Sequence, residues 1–223
     1  MEAYYSERLS AERLKRCYEV APPRIMQYLE AEVQHVLARL NTEDVVLELG
    51  CGFARFLSRL DGYATRLVGI DTSFSSLAMT YDLYDVELDL AQMNAGSLAF
   101  DDNEFDVVIC IQNGISAFNL DPSSLVRESI RVTRPGGRCL FSSYADQFWN
   151  HRLDWFELQS EEKLVGEIDW ELTGNGIIVC KDGFKSTTFG PDDFARIALE
   201  VGVESTVQLV DRSSVFCEIR VKK

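Results

Sequence analysis

The stretch VVLELGCGFA, residues 45–54, decides the fold. A mainly apolar run of five residues is followed at once by Gly50 and Gly52, which permit a tight turn and a close approach of a ligand to the main chain. A run that is apolar on both faces is typical of a parallel strand covered by helices on each side. The segment therefore predicts a strand, a glycine turn and a helix over about 53–60.

Short apolar runs and helical stretches alternate on both sides of this turn. Such alternation is typical of an α/β fold with a doubly wound, mostly parallel sheet. The last two predicted strands are separated by only three residues, whereas a parallel crossover needs about a dozen. We therefore expect a seven-stranded sheet that ends in an antiparallel C-terminal hairpin. The predicted strands are 45–49, 66–70, 90–93, 105–111, 138–143, 205–210 and 214–221, and the predicted helices between them are 53–60, 73–83 and 122–133.

Composition narrows the class of protein. The 223 residues carry a formal net charge of −14 without a cluster of Lys and Arg, which argues against nucleic acid or an anionic membrane as a partner. We find no apolar window of the roughly 18 residues that a membrane helix needs, and the N terminus lacks the apolar core of a signal peptide, so a cytoplasmic location is expected. The six cysteines are scattered without metal-ligand spacing, so no metal site is expected.

A carboxylate follows the second predicted strand. Asp71 lies about 20 residues beyond the glycine turn, where an acidic residue accepts hydrogen bonds from ribose hydroxyls. The position of a third glycine in a dinucleotide motif is taken by Arg55. Glu48 would repel a pyrophosphate but suits the ammonium group of a methionine moiety. These features favour an adenosine-type cofactor other than NAD.

Four landmarks over about residues 40–145 resemble class I S-adenosylmethionine-dependent methyltransferases. ELGCGFA at 48–54 resembles motif I of that family, with Ala54 in place of its last glycine. GIDTS at 69–73 resembles the ribose-binding end of the second strand. NAGSLAF at 94–100, followed by FD at 105–106, is similar to the segment before the fourth strand, although Asn94 replaces the usual aspartate. RPGG at 134–137 resembles the turn before the fifth strand.

The resemblance implies S-adenosylmethionine as the cofactor and a Rossmann-like fold. The two glycines would meet the methionine part, the aspartate would take the ribose hydroxyls, and Asn94 with the Ala95 amide would bind the adenine edge. Gln112 would lie beneath the sulfonium. The implied cofactor-binding residues are Glu48, Gly50, Gly52, Ile70, Asp71, Thr72, Asn94, Ala95 and Gln112.

We interpret the chain as one domain, residues 1–223. It divides into an N-terminal helical segment (1–40), a cofactor-binding core (41–143), an inserted cap (144–190) and a final helix with the terminal hairpin (191–223). The cap is long for a strand-to-helix connection. One hypothesis is an aromatic-lined pocket that attracts a cationic acceptor, and the alternative is that the rings pack the cap onto the sheet. The rings are Tyr144, Phe148, Trp149, His151, Trp155, Phe156, Trp170, Phe184 and Phe189.

Methyl transfer is an in-line displacement in which the cofactor carries the reactivity and the protein supplies orientation and a dry site. No protein nucleophile is needed, and the candidate catalytic residues are His151, Tyr144 and Asn113. Tyr4 and Tyr5 are candidates for closing over the cofactor. A small-molecule acceptor is expected, with N-, O-, S- and C-methylation all open. The alternatives are a catalytically silent methyltransferase-like binding domain, an aminopropyl transferase and an NAD oxidoreductase.

Overall fold

A computed structural model describes residues 4–222 of the chain. Seven strands form one sheet in the order β3-β2-β1-β4-β5-β9-β8, and two form a small separate sheet, β6-β7. The strands are β1 (Val45–Leu49), β2 (Arg66–Asp71), β3 (Asp89–Gln92), β4 (Phe105–Cys110), β5 (Thr133–Tyr144), β6 (Ile177–Val179), β7 (Lys185–Thr187), β8 (Ser205–Val210) and β9 (Ser214–Arg220).

The pairing confirms the predicted topology. β3, β2, β1, β4 and β5 are parallel, whereas β9 runs antiparallel to both β5 and β8. The strand order reverses next to β1, so a crevice opens beyond the carboxyl ends of β1 and β4. The antiparallel hairpin follows from its connection, because Asp211–Ser213 leaves no room for a crossover.

Seven α-helices cover the sheet and the cap. They are α1 (Ala11–Glu19), α2 (Pro23–Leu37), α3 (Phe74–Leu83), α4 (Gly114–Ala117), α5 (Pro122–Val132), α6 (Trp149–Glu161) and α7 (Pro191–Val201). A π-helical turn spans Tyr4–Arg8, and 3-10 turns span Leu57–Leu60 and Asp146–Phe148. α2 begins at a proline, where the missing N–H costs nothing, and it buries Ile25, Tyr28, Leu29, Glu32, Val33 and Val36 on one face.

The prediction of a helix over 53–60 is wrong. The chain makes successive turns there and reaches only the 3-10 turn at Leu57–Leu60. Ala54 is fully buried with a φ of 55°. Because a right-handed helix cannot continue through a left-handed residue, this position interrupts it.

The cap, the N-terminal turn and α1 share a core of their own. Leu9 and Cys17 from the N-terminal side pack with Phe156, Ile178 and Phe184 of the cap. The indole N–H of Trp155 also donates to the Cys17 carbonyl at 2.9 Å. The two segments therefore close together over the carboxyl ends of the sheet strands.

Within residues 4–222, no helix is long and apolar enough to cross a membrane. The same residues include no group of three or more His, Cys, Asp or Glu side chains arranged to hold a metal ion. All six cysteines are free and buried.

Candidate functional site

A cavity of about 670 Å³ opens at the carboxyl ends of β1, β2 and β4. This volume is in the usual range for cofactor and small-ligand sites. The core strands form its floor, and the N-terminal turn, α6 and β7 form its cover. The structure brings all of the expected cofactor-binding residues to its wall: Glu48, Gly50, Gly52, Ile70, Asp71, Thr72, Asn94, Ala95 and Gln112.

The glycine turn and the carboxylate of Asp71 meet directly. Gly50 and Gly52 have φ of 73° and 57°, and a Cβ at Gly50 would lie 2.9 Å from the Phe118 ring. The Gly52 N–H donates to Asp71 Oδ2 at 2.9 Å, and the Ser73 N–H donates to Oδ1 at 2.8 Å. Each carboxylate oxygen keeps a lone pair. Asp71 is thereby fixed with acceptor capacity for the two hydroxyls of a ribose.

Glu48 is a buried carboxyl at the end of β1. Its Oε2 has no hydrogen-bond partner among residues 4–222. Burial raises its pKa to about 8, and the nearby Arg55 charge opposes that rise. An unpartnered buried carboxylate oxygen is costly. It fits a ligand that brings a cation, such as the ammonium of a methionine moiety.

The backbone after β4 turns sharply into the cavity. Gln112 and Asn113 have φ of 54° and 63°, and left-handed residues other than glycine cost on the order of 1–3 kcal/mol each. The Gln112 N–H lies 2.9 Å from Glu32 Oε2 and 2.8 Å from Ser142 Oγ, and it donates to both. Ser214 donates its hydroxyl to Glu32. Burial raises the pKa of Glu32 to about 7.

Arg55 holds the side chain of Gln112. Its guanidinium donates to Gln112 Oε1 at 2.5 Å and lies 4.1 Å from the ring centroid of Tyr18. The Gln112 Nε2 atom is buried and has no partner among the described residues. In the sequence, Arg55 was noted only as the residue in place of a third glycine, and no role was predicted for Glu32. Neither role has a signal in the local pattern.

Asn94, at the wall of the cavity, forms a local turn. Its Oδ1 accepts the Gly96 N–H at 2.8 Å, so one acceptor lone pair is used and one remains, together with the amide donors. Ala95 is buried beside it, with Ile70 and Thr72 across the crevice. This edge offers both donors and acceptors to a planar base.

The part of the cavity beneath the cap is lined mainly by aromatic side chains. Five of the aromatic cap residues line the cavity, namely Tyr144, Trp155, Phe156, Phe184 and Phe189. Phe148, Trp149, His151 and Trp170 lie outside it. His151 is exposed with its ring 5.4 Å from that of Phe148, so the geometry removes it as a candidate catalytic residue. Tyr144 and Asn113 do line the cavity.

The N-terminal turn is tied to the cap. The Tyr4 hydroxyl donates to Asp182 Oδ2 at 2.6 Å. The rings of Tyr4 and Tyr5 lie 5.2 and 6.0 Å from that of Phe184. Both tyrosines line the cavity. The two tyrosines therefore lie over the crevice and cover it.

Comparison with known proteins agrees with this geometry. Residues 47–141 match the family model described as a methyltransferase domain. Over 103 residues (44% of this chain) the sequence is 31% identical to a ubiquinone biosynthesis O-methyltransferase of Pseudomonas fluorescens. Over 137 residues (55% of this chain) it is 31% identical to an arsenite methyltransferase of Aquipseudomonas alcaligenes. These stretches span 43% and 38% of the two relatives, so the chain covers less than half of either.

Solved structures share the fold. A crystal structure of a SAM-dependent methyltransferase from Methanosarcina mazei superposes with a TM-score of 0.59 at 17% identity, covering 91% of this chain and 99% of the other. The sheet order, with a cavity at the carboxyl ends of the parallel strands, is that of a Rossmann-like α/β protein. Residues 47–141, less than half of the chain, therefore match a methyltransferase domain in sequence, and the fold is shared with an S-adenosylmethionine-dependent methyltransferase.

Proposed function

We propose that the protein transfers the methyl group of S-adenosylmethionine to a small-molecule acceptor held beneath the cap. The observation that carries this proposal is the meeting of three groups at one cavity. The Gly52 N–H donates to Asp71 Oδ2, and the unpartnered Oε2 of Glu48 lies on the same wall. The two carboxylates match the ribose and the ammonium group of one ligand.

When bound, the cofactor supplies an electrophilic methyl group. Asp71 accepts hydrogen bonds from the ribose, and Glu48 neutralises the ammonium group. Gln112, fixed by Arg55 and by the Glu32 hydrogen bond to its N–H, borders the reacting centre. The cap and the N-terminal turn exclude water, so the protein acts mainly through orientation and desolvation.

We also propose that the chain forms one domain that acts in the cytoplasm on a small metabolite. The net charge of −14 supports this because it opposes binding to nucleic acid or an anionic membrane. The shared core of the cap and the N-terminal turn supports a single unit.

Calorimetric titration with S-adenosylhomocysteine tests the cofactor site. Asp71→Asn should weaken binding by at least about tenfold, because a hydrogen bond to a charged group contributes about 1.5–3 kcal/mol. Asp82→Asn, at an exposed position of α3, is the matched control and should bind like the native protein. Unchanged binding by the Asp71 variant would contradict the proposed site. Normal binding without methyl transfer to any acceptor would favour the silent binding domain.

A further inference from the structure

Arg152 is a buried cation without an anion. The side chain is fully buried on α6, and it forms no ion pair with a carboxylate of residues 4–222. Its guanidinium donates to the Gly176 carbonyl at 2.9 Å and to the carbonyl and hydroxyl of Ser186 at 2.9 and 2.8 Å. Nε has no partner. A buried unpaired charge is costly, so its retention requires compensation.

Three aromatic rings of the cap face the guanidinium of Arg152. Its Cζ lies 4.7 Å from the ring centroid of Tyr144 and 5.7 Å from those of Trp149 and Phe156. Tyr144 and Phe156 line the cavity. These two rings therefore already face an internal cation, which argues against their attracting a cationic acceptor.

Ser186 presents this charge to the cavity. Its Oγ receives one hydrogen bond from Arg152 and one from Asn113 Nδ2, at 3.1 Å. A serine hydroxyl has two acceptor lone pairs and one donor hydrogen. Both neighbours donate, so the hydrogen of Ser186 has no acceptor among the described residues. Ser186 is one of the residues that line the cavity.

The orientation of the Asn113 amide is fixed by its other partner. Ser143 is fully buried, and its hydroxyl accepts the Phe189 N–H at 2.8 Å and donates to Asn113 Oδ1 at 2.6 Å. That length is normal for an O–H donor and short for an N–H donor. If the amide were turned over, the Ser143 hydrogen would lose its acceptor in a buried place. Hydrogen bonds thus run from Ser143 through Asn113 to Ser186, and such chains strengthen the terminal donor.

Carboxylates are unevenly distributed around the cavity, and Arg55 also lines it at the cofactor end, close to Glu48. The lining carboxylates of the cavity within residues 4–222 are Glu48 and Asp71, both at the cofactor end. The acceptor end has none, although the chain as a whole is strongly acidic. Arg152 lies directly behind Ser186, and Lys185, the preceding residue of β7, is exposed.

We propose that Ser186, held by Arg152 and Asn113, donates its hydroxyl hydrogen to a carboxylate or another anionic oxygen of the acceptor. The acceptor is then an apolar or aromatic molecule that carries an anionic oxygen, and it is not an amine. This inference rests on the proposed function, because it assigns the substrate class of the same cavity. The apolar body packs against Trp155, Phe184 and Phe189, which line the same space.

Binding of matched probes to the S-adenosylhomocysteine complex tests the inference. Benzoate, benzyl alcohol and benzylamine share a ring and differ in charge. S-adenosylhomocysteine lacks the sulfonium charge of the cofactor. A preference of this complex for benzoate over the other two probes must therefore come from the protein. We expect benzoate to bind most tightly and benzylamine least. Ser186→Ala should weaken benzoate binding by about tenfold or more, the range for a charge-assisted hydrogen bond.

Ser116→Ala is the matched control for loosening of the cap. Its Oγ accepts the Thr187 N–H at 2.8 Å and so docks β7 without touching Arg152. This variant should bind benzoate nearly as the native protein does. Benzylamine binding at least as tight as benzoate, undetectable benzoate binding up to its solubility limit, or equal losses in the two variants would overturn the inference. Failure to bind S-adenosylhomocysteine is a separate result, which contradicts the proposed function itself.

Discussion

The pKa of Glu48 makes cofactor binding depend on pH in a definite direction. Burial raises this pKa to about 8 in the unliganded protein, while the ionised carboxylate is the form that pairs with an ammonium group. Below pH about 7 an α-amino group stays protonated. Binding must then draw Glu48 into its ionised form and release a proton to the buffer.

The magnitude follows from the fraction of Glu48 that is ionised. With a pKa of about 8, that fraction is roughly 1% at pH 6 and roughly 10% at pH 7, so the affinity for S-adenosylhomocysteine should rise about tenfold, or about 1.4 kcal/mol, over that unit. Calorimetry in two buffers of different ionisation enthalpy would show the release of nearly one proton at pH 6.5.

Glu48→Gln should abolish both the slope and the proton release. Glu43→Gln, at an exposed position just before β1, is the matched control and should keep both. An affinity that does not change between pH 6 and 7 in the native protein would refute the reasoning. So would a Glu48 variant that retains the slope.

Two further predictions concern stability. Gly50→Ala should lower the free energy of unfolding in urea more than Gly62→Ala does. Both glycines have a positive φ, but a Cβ at Gly50 would lie 2.9 Å from the Phe118 ring, whereas a Cβ at Gly62 would meet no atom within 4 Å. An equal loss of unfolding free energy in the two variants would show that the Phe118 ring moves aside freely. Burial raises the pKa of Glu32 to about 7 in the folded state, so the folded protein favours its neutral form. The free energy of unfolding should therefore fall by about 3 kcal/mol as the pH rises from about 4.5 to 7. Glu32→Gln should flatten that fall between pH 5 and 7.5, and an unchanged pH profile of urea unfolding would contradict this assignment.

The sequence was informative where function depends on local order along the chain. A strand followed by G-x-G, and a second strand ending in Asp71, predicted the crevice because the carboxyl ends of neighbouring parallel strands meet at one edge. The three-residue connection Asp211–Ser213 predicted the antiparallel hairpin because no crossover fits there.

The sequence was uninformative where function depends on contacts between residues that lie far apart along the chain. Glu32 reaches the N–H of Gln112 across 80 positions, and Arg152 reaches Ser186 across 34. A glutamate within a helical apolar pattern gives no sign that it is buried. The wrong prediction of a helix after the glycine turn has a similar cause, because nothing in the sequence shows that Ala54 adopts a φ of 55°.

The most direct test of the central claim is a crystal structure of the protein with S-adenosylhomocysteine. We expect the ribose hydroxyls on Asp71, the ammonium group on Glu48, the adenine between Ile70 and Asn94, and the sulfur atom next to Gln112. A ligand bound elsewhere, or bound in this crevice with its ribose away from Asp71, would contradict the claim.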